Sequence, residues 1–257
     1  MTTTTELRVD RGGSGEPTLL LLHGMGGVAG VWTRLLALLD KHWPGSWVAP
    51  DLPGHGRSPY LEQGYSYDRL AAAVAGVVEP GQPVAVLGHS LGGAVGLALA
   101  AGDFGVPVTG VVGVGIKVRW SEQDLAGVAV IAKRAVHFTR TREEAMERAV
   151  KAAGLLGLVP ADEPGLDNLV RRVNDGWRPI LDLRALTVGA PDMSRWLGTL
   201  AQRGIPAILA AGERDPMSPR EHLAELVPDP VILPGLGHSV HVEDPEALLP
   251  LIEQLRG

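Results

Sequence analysis

The chain contains no cysteine among its 257 residues, and this excludes disulfide bonds, thiolate metal sites and a cysteine nucleophile. It also lacks long hydrophobic runs, because Gly, Pro or charged residues interrupt every apolar stretch before it reaches membrane-spanning length. Basic residues are not in excess. The net charge of −6 argues against nucleic acid as a partner.

The N-terminal residues Met1–Glu6 lack the basic start and the apolar core of a secretion signal. The sequence therefore predicts a soluble, cytoplasmic protein without a membrane partner. Its length allows one α/β domain or two small ones, and the chain shows no internal repeat or interdomain linker.

Short apolar segments alternate with helical patterns along both ends of the chain. Continuous apolar strands of this kind are typical of a parallel sheet covered by helices on both sides, which predicts an α/β fold. An extra edge strand is predicted at Leu7–Val9. The predicted strands span residues 18–22, 47–50, 84–87, 108–114, 205–211 and 231–233, and the predicted helices span residues 31–39, 67–78, 94–101, 219–226 and 245–255.

The strand pattern stops between Lys117 and Trp196. Ser121 and Thr141, each followed three residues later by an acidic residue, fit the start of a helix. Two later segments, residues 166–174 and 193–202, also look helical. We interpret this block as a helical cap inserted over the carboxyl edge of the sheet. The alternative is that it is a helical half of the core. The predicted α/β core is formed by residues 1–116 together with residues 197–257. The predicted helical cap is formed by residues 117–196.

The most specific motif is Gly88-His89-Ser90-Leu91-Gly92, which follows an apolar strand and precedes a helix of small residues. At such a junction the serine adopts a strained backbone, and its hydroxyl is exposed at the carboxyl edge of the sheet. The two glycines leave room for the tight turn. The pattern predicts that Ser90 is a nucleophile.

A serine hydroxyl needs a neighbouring base, normally a histidine that a carboxylate orients. His238 is favoured because it follows a strand in a Gly-x-Gly-His loop, and His241 is its competitor. Asp215 follows the preceding strand and is favoured as the acid over Glu213. An oxyanion hole further requires two backbone N–H groups aimed at the developing charge.

Two residues are predicted to supply those N–H groups. Leu91 comes directly after Ser90, at the start of a helix whose dipole also favours an anion. Met25 lies in the glycine-rich loop that follows the first buried strand.

These motifs together resemble the α/β-hydrolase family, in its capped single-domain form. The resemblance implies a triad of Ser90, Asp215 and His238, in the family's chain order. It also implies that Asp51 and His55 belong to a structural loop. The segments that carry the resemblance are His23–Gly27, Asp51–Ser58, Gly88–Gly93, Gly212–Asp215 and Gly237–His238.

Two departures from the family pattern narrow the chemistry. Members that open epoxides or carbon–halogen bonds carry an aspartate where Ser90 stands, so those reactions are disfavoured. Many members that cleave carbon–carbon bonds place an aromatic residue after the catalytic histidine, whereas this chain has Ser239.

The sequence thus predicts a serine hydrolase that cleaves a small-molecule ester, lactone or thioester through an acyl-enzyme. A carbon–carbon hydrolase, a lyase or another cofactor-free reaction on the same triad is the alternative, and a non-catalytic ligand receptor is a third. The mechanism needs no metal and no organic cofactor.

The substrate pocket is predicted from residues near the motifs and from tryptophans of the inserted block. Three arginines of that block, Arg119, Arg178 and Arg184, are candidates to meet an anionic substrate, although arginines of this kind also occur simply on the surface. The predicted pocket residues are Gly24, His89, Trp120, Trp177 and Trp196.

Overall fold

The computed structural model describes residues 6–160 and 162–256. Residues 1–5, on which the prediction about a secretion signal largely rests, lie outside the described residues. Within the described ranges, no helix combines the length and the apolar character needed to cross a bilayer.

The described residues contain a seven-stranded sheet in the order β1-β3-β2-β4-β5-β8-β9. Only β1, at one edge, runs antiparallel to its neighbour, so the predicted, mostly parallel α/β sheet is confirmed. The strands are β1 (Val9–Gly12), β2 (Thr18–Leu22), β3 (Trp47–Pro50), β4 (Val84–His89), β5 (Val108–Val114), β8 (Ala207–Gly212) and β9 (Val231–Leu233).

Helices cover both faces of this sheet. Because side chains alternate along a strand, Leu20 and Leu22 of β2 face one hydrophobic cluster, and Leu19 and Leu21 face the other. The described helices are α1 (Thr33–His42), α2 (Tyr67–Ala75), α3 (Leu91–Ala101), α4 (Glu122–Ala132), α5 (Arg142–Ala152), α6 (Met193–Arg203), α7 (Arg220–Ala224), α8 (Val240–Glu243) and α9 (Leu249–Glu253).

The segment between β5 and α6 contains the helices α4 and α5 together with a β-hairpin. The predicted helix at residues 166–174 is wrong: a short 3₁₀ helix at Leu166–Leu169 leads into a β-hairpin. The hairpin consists of β6 (Val170–Val173) and β7 (Gly176–Pro179), and Asn174 takes a left-handed φ of 52° at its turn. A turn of this kind reverses the chain where a helix would have continued it.

The predicted boundary of the core at residue 196 falls inside α6. This helix packs against α3. Its buried residues Met193, Trp196 and Leu200 belong to the hydrophobic cluster on the α3 side of the sheet. We therefore use the name inserted segment for residues 117–192, which end before α6 begins.

The strand order creates a crevice at the carboxyl edge of the sheet. Strands β2 and β4 are neighbours, and the chain continues from β2 to β3 on one side and from β4 to β5 on the other. Such a switch point opens a crevice outside the carboxyl ends of the strands. The loops that begin at His23 and at Ser90 both start at this point.

Candidate active site

Ser90 sits at a strained turn between β4 and α3. Its backbone angles are φ 49° and ψ −113°, which an L-residue rarely adopts. The turn is tight enough that a Cβ on Gly88 would come within 2.4 Å of the Gly92 carbonyl oxygen. A Cβ on Gly92 would come within 2.1 Å of the Leu22 carbonyl oxygen. Both glycines are thus required by close backbone approach, as the elbow pattern indicates.

Asp215 and His238 are brought together by the loops that follow β8 and β9. The His238 Nδ1 and the Asp215 Oδ2 are 2.8 Å apart. The other carboxylate oxygen of Asp215 accepts the Met217 N–H at 2.8 Å, and the Asp215 side chain is fully buried. With a proton on Nδ1 donated to the carboxylate, the imidazole keeps an acceptor lone pair on Nε2.

Glu213 and His241, the alternative acid and the alternative base, contact other groups. The Glu213 carboxylate accepts the Gly235 N–H at 2.8 Å and supports the loop after β9. His241 is buried between Trp32 and His89, with ring centroids 4.8 Å and 4.3 Å away. Asp215 therefore pairs with His238, the histidine that the sequence favoured.

The end of β5 contacts both Ser90 and His238. The Ser90 N–H donates to the Val114 carbonyl at 2.7 Å. The His238 ring lies against the next residue, Gly115, where a Cβ would be 3.2 Å from Nδ1. Within the described residues the Ser90 hydroxyl and His238 form no hydrogen bond, and such bonds are often loose before substrate binds.

The two predicted oxyanion donors are available at this edge of the sheet. In the hydrogen-bond network of residues 6–160 and 162–256, neither the Met25 N–H nor the Leu91 N–H has an acceptor. Gly24 holds the first loop against the elbow, since a Cβ on it would lie 2.6 Å from the His89 ring and 3.4 Å from the Ser90 Cβ.

The sequence pattern did not show that His89, predicted to line the pocket, contacts the loop of His238. His89 is almost fully buried at the end of β4, and its Nε2 donates to the His238 carbonyl oxygen at 2.9 Å. The sequence pattern also missed Glu243. Its carboxylate accepts the N–H groups of Gly237 and Ser239, at 2.8 Å and 3.1 Å. Together, His89 and Glu243 hold the backbone on both sides of His238.

Four buried histidines have lowered pKa values, and two of them, His89 and His241, are neighbours of His238. Burial lowers the pKa of His23 to about 4. Burial lowers the pKa of His55 to about 3, helped by neighbouring His23, and burial with neighbouring His238 and His23 does the same for His241. Burial and the rings of His241 and His238 place the pKa of His89 well below its ordinary value. His238, with 23% of its side chain exposed and a carboxylate partner, differs from all four.

The tryptophans of the predicted pocket have structural contacts. Trp196 is buried in the core, edge-on to Tyr67 at 5.1 Å between ring centroids. Trp120 is held by its own turn: its Nε1 donates to the Lys117 carbonyl, and the Lys117 ammonium lies over its ring. Trp177, in β7, pairs with Thr139 and packs partly into the cluster on the α1 side of the sheet.

The loop after β3 is held together by Asp51, as a structural loop would be. Its two carboxylate oxygens accept the N–H groups of Ala29 and Arg57, at 2.7 Å and 3.0 Å. His55 contacts the Pro53 carbonyl at 3.1 Å through Nδ1. Across the described ranges, no group of three or more His, Asp or Glu side chains is arranged to hold a metal ion.

The mostly parallel sheet with a serine elbow at its switch point defines the class of this protein, that of the α/β hydrolases. The family model described as "Alpha/beta hydrolase family" matches residues 19–251. The chain belongs to this family.

Comparison with individual proteins agrees with that assignment. The chain is 40% identical over 100 residues to "Lipase LipV" of Mycobacterium tuberculosis, a match that covers 37% of this chain and 36% of the relative. It is 43% identical over 81 residues to "Pimeloyl-[acyl-carrier protein] methyl ester esterase" of Neisseria meningitidis, covering 32% of this chain and 24% of the relative. The chain thus spans about a third or less of the length of these curated relatives.

A solved structure matches over nearly the full length. The "Thioesterase Domain From Curacin Biosynthetic Pathway" superimposes with a TM-score of 0.78 at 22% identity, covering 99% of this chain and 97% of that chain. At this identity the likeness shows the fold alone.

Proposed function

We propose that this protein hydrolyses a small-molecule carboxylic ester or thioester through an acyl-enzyme on Ser90. The observation that carries the proposal is the Asp215–His238 pair, 2.8 Å apart, at the same sheet edge as the strained Ser90 turn. The N–H groups of Met25 and Leu91, which have no acceptor in the described part of the chain, support it, because acyl transfer requires donors for the oxyanion.

Each residue has one role in this reaction. The Nε2 of His238 takes the proton of the Ser90 hydroxyl as its oxygen attacks the carbonyl carbon. The N–H groups of Met25 and Leu91 hold the oxyanion, and His238 then gives the proton to the leaving group. Water repeats the sequence and frees the acid. Asp215 keeps the proton on Nδ1 and stabilises the imidazolium.

The names of the similar proteins favour the same reaction class. They are a lipase, a methyl ester esterase and a thioesterase, and all three names denote attack on an acyl carbonyl. This chain would use the same chemistry on a substrate of its own.

The test is labelling with a fluorophosphonate probe together with turnover of p-nitrophenyl esters, lactones and acyl thioesters. Mass spectrometry should find the probe on Ser90, and Ser90→Ala should lower kcat by about 10⁶-fold. Ser218→Ala is the control, since this serine is buried and its hydroxyl has no hydrogen-bond partner within the described residues.

Near-full turnover by Ser90→Ala would disprove the nucleophile. If Ser90 reacts with the probe but no ester, lactone or thioester yields a trapped acyl-enzyme, ester hydrolysis is wrong. Acid–base chemistry by Ser90 and His238 would then describe the site better.

A further inference from the structure

Arg178, in strand β7, is the one buried arginine of the described residues, with 9% of its surface exposed. Its Nη2 donates to the Tyr60 hydroxyl at 2.7 Å, and its buried Nε has no hydrogen-bond partner among the described residues. Within residues 6–160 and 162–256 it forms no salt bridge with an Asp or Glu side chain. A buried guanidinium without a counter-charge is costly, so its position calls for a reason.

Three other arginines of the inserted segment have carboxylate partners. Arg184, six residues further along, forms a salt bridge with Asp182 although 49% of its side chain is exposed. Arg119 and Arg142 pair with Glu225 and with Asp167. Arg178 has no such partner in the described part of the chain. Five further arginines of the segment also lack an acid partner within the described residues, but these are exposed: Arg134, Arg140, Arg148, Arg171 and Arg172.

The residue directly opposite Arg178 makes the local environment less favourable still. In the antiparallel hairpin, Arg178 is paired with Arg171 of β6. Like charges at directly opposed positions destabilise a sheet. Nothing in the hairpin itself therefore accounts for a positive charge at residue 178, and a ligand of negative charge would.

The strand that carries Arg178 leads to the candidate active site. The next residues, 179–181, line a small cavity together with His55 and with Gly26 and Gly27, which follow Met25 in its loop. The Asp182 N–H donates to the Gly54 carbonyl oxygen at 2.8 Å. Arg178 therefore directly precedes a segment that contacts the loop of Met25.

We propose that Arg178 and Tyr60 form a subsite for a carboxylate, and that the substrate is an ester with a second, ionised carboxyl group. The Tyr60 oxygen accepts from Arg178, which leaves its own proton for the ligand, and 36% of Tyr60 is exposed to the approach of that ligand. The guanidinium offers donors in a fixed plane that suits carboxylate oxygens. The inference rests on the proposed function, because it names the substrate class of that same site.

Two substrate series place the carboxylate on either side of the scissile ester. Mono-p-nitrophenyl esters of linear dicarboxylic acids, of increasing length, carry it on the acyl group, and acetyl esters of hydroxy acids carry it on the leaving group. Each is compared with a neutral ester of equal length. We expect the wild type to prefer the charged member of at least one series in kcat/KM.

Arg178→Met should lower kcat/KM for the preferred charged ester by about 10- to 100-fold, the effect of losing a charged hydrogen bond. The neutral ester should keep its kcat/KM within a few-fold. Arg178→Lys, which keeps the charge, should recover part of the loss. Arg171→Met is the matched control, since it removes the same charge from the exposed cross-strand position and should leave the preference intact.

A binding measurement checks the subsite without turnover. Glutarate and adipate should raise the Tm of Ser90→Ala, and the double variant with Arg178→Met should lose this shift. The proposal is overturned if neither series shows a charge preference, if Arg178→Met weakens charged and neutral esters equally, or if Arg171→Met has the same effect. Failure of the proposed function looks different, because Ser90→Ala would then keep its turnover with every ester.

Discussion

The position of His238 depends on two side chains that do not touch its ring nitrogens. His89 donates to its carbonyl oxygen, and the Glu243 carboxylate accepts the N–H groups of Gly237 and Ser239. A carboxylate has two acceptor oxygens, and both are used here. We infer that Glu243 is a positioning residue that fixes the loop and, through it, the direction of the imidazole.

Replacing Glu243 by Gln should therefore lower kcat for p-nitrophenyl ester turnover by about 10-fold and leave KM unchanged. Glutamine has one acceptor oxygen and an NH₂ group, so one of the two N–H groups loses its partner. Steady-state kinetics and the rate of fluorophosphonate labelling measure the effect. Glu246→Gln, at an exposed position three residues away, is the control and should change neither constant. A rise in KM at constant kcat would contradict the positioning role.

Helices α3 and α4 each contain glycine, but only in α3 does a close contact require it. Gly92 lies in the first turn of α3, where a Cβ would come within 2.1 Å of the Leu22 carbonyl oxygen. Gly127 lies within α4, and no atom of the described residues would touch a Cβ placed there. The first glycine is thus required by the contact of α3 with β2, and the second only weakens a helix.

Gly92→Ala should destabilise the protein by about 1–3 kcal/mol, because the backbone of β2 cannot move aside without strain. Gly127→Ala should stabilise it by about 0.5–1 kcal/mol, the difference in helix propensity. Urea unfolding followed by circular dichroism measures both. Equal effects of the two substitutions would show that the close approach of α3 to β2 carries no energetic weight.

The elements that the sequence predicted well are those with local signals. The bounds of β2, β3, β5 and β9 follow from short apolar runs between turn residues, and the structure confirms them. The hairpin of β6 and β7 was missed because the residues of 166–174 fit a helical spacing as well. Only the turn at Asn174, with its left-handed backbone, decides between the two.

Roles that depend on distant contacts could not be predicted from the sequence. The bond from His89 to His238 joins residues 149 positions apart, and the bond from Arg178 to Tyr60 joins residues 118 positions apart. Neither contact leaves a periodic pattern in the chain. The elbow at Ser90 was predictable for the opposite reason, since its glycines and its strand lie within a few residues.

At the scale of the whole molecule, four buried imidazoles make stability depend on pH. The pKa values of His23, His55 and His241 are lowered by burial to about 4, about 3 and about 3, and that of His89 is lowered too. Below the ordinary histidine pKa of 6.5, these four histidines bind protons in the unfolded chain but stay neutral in the folded chain. The free energy of unfolding is therefore highest above pH 6.5 and falls as the pH decreases toward 3.

His241→Phe tests this dependence on one ring. His241 is stacked on Trp32 and His89, and its Nδ1 has no hydrogen-bond partner within the described residues, so phenylalanine can keep the stacking. In the variant, one group fewer takes up a proton on unfolding. The free energy of unfolding should therefore fall less steeply with decreasing pH, by about 1.4 kcal/mol per pH unit between about pH 5.5 and 4. Urea unfolding at a series of pH values gives the two curves. The two curves should be parallel above pH 7 and diverge below pH 6, with the variant more stable in acid.

The control is His137→Gln, at an exposed position, which should follow the wild type at every pH. Parallel curves for His241→Phe and the wild type in acid would mean that the folded protein already accepts a proton on this ring.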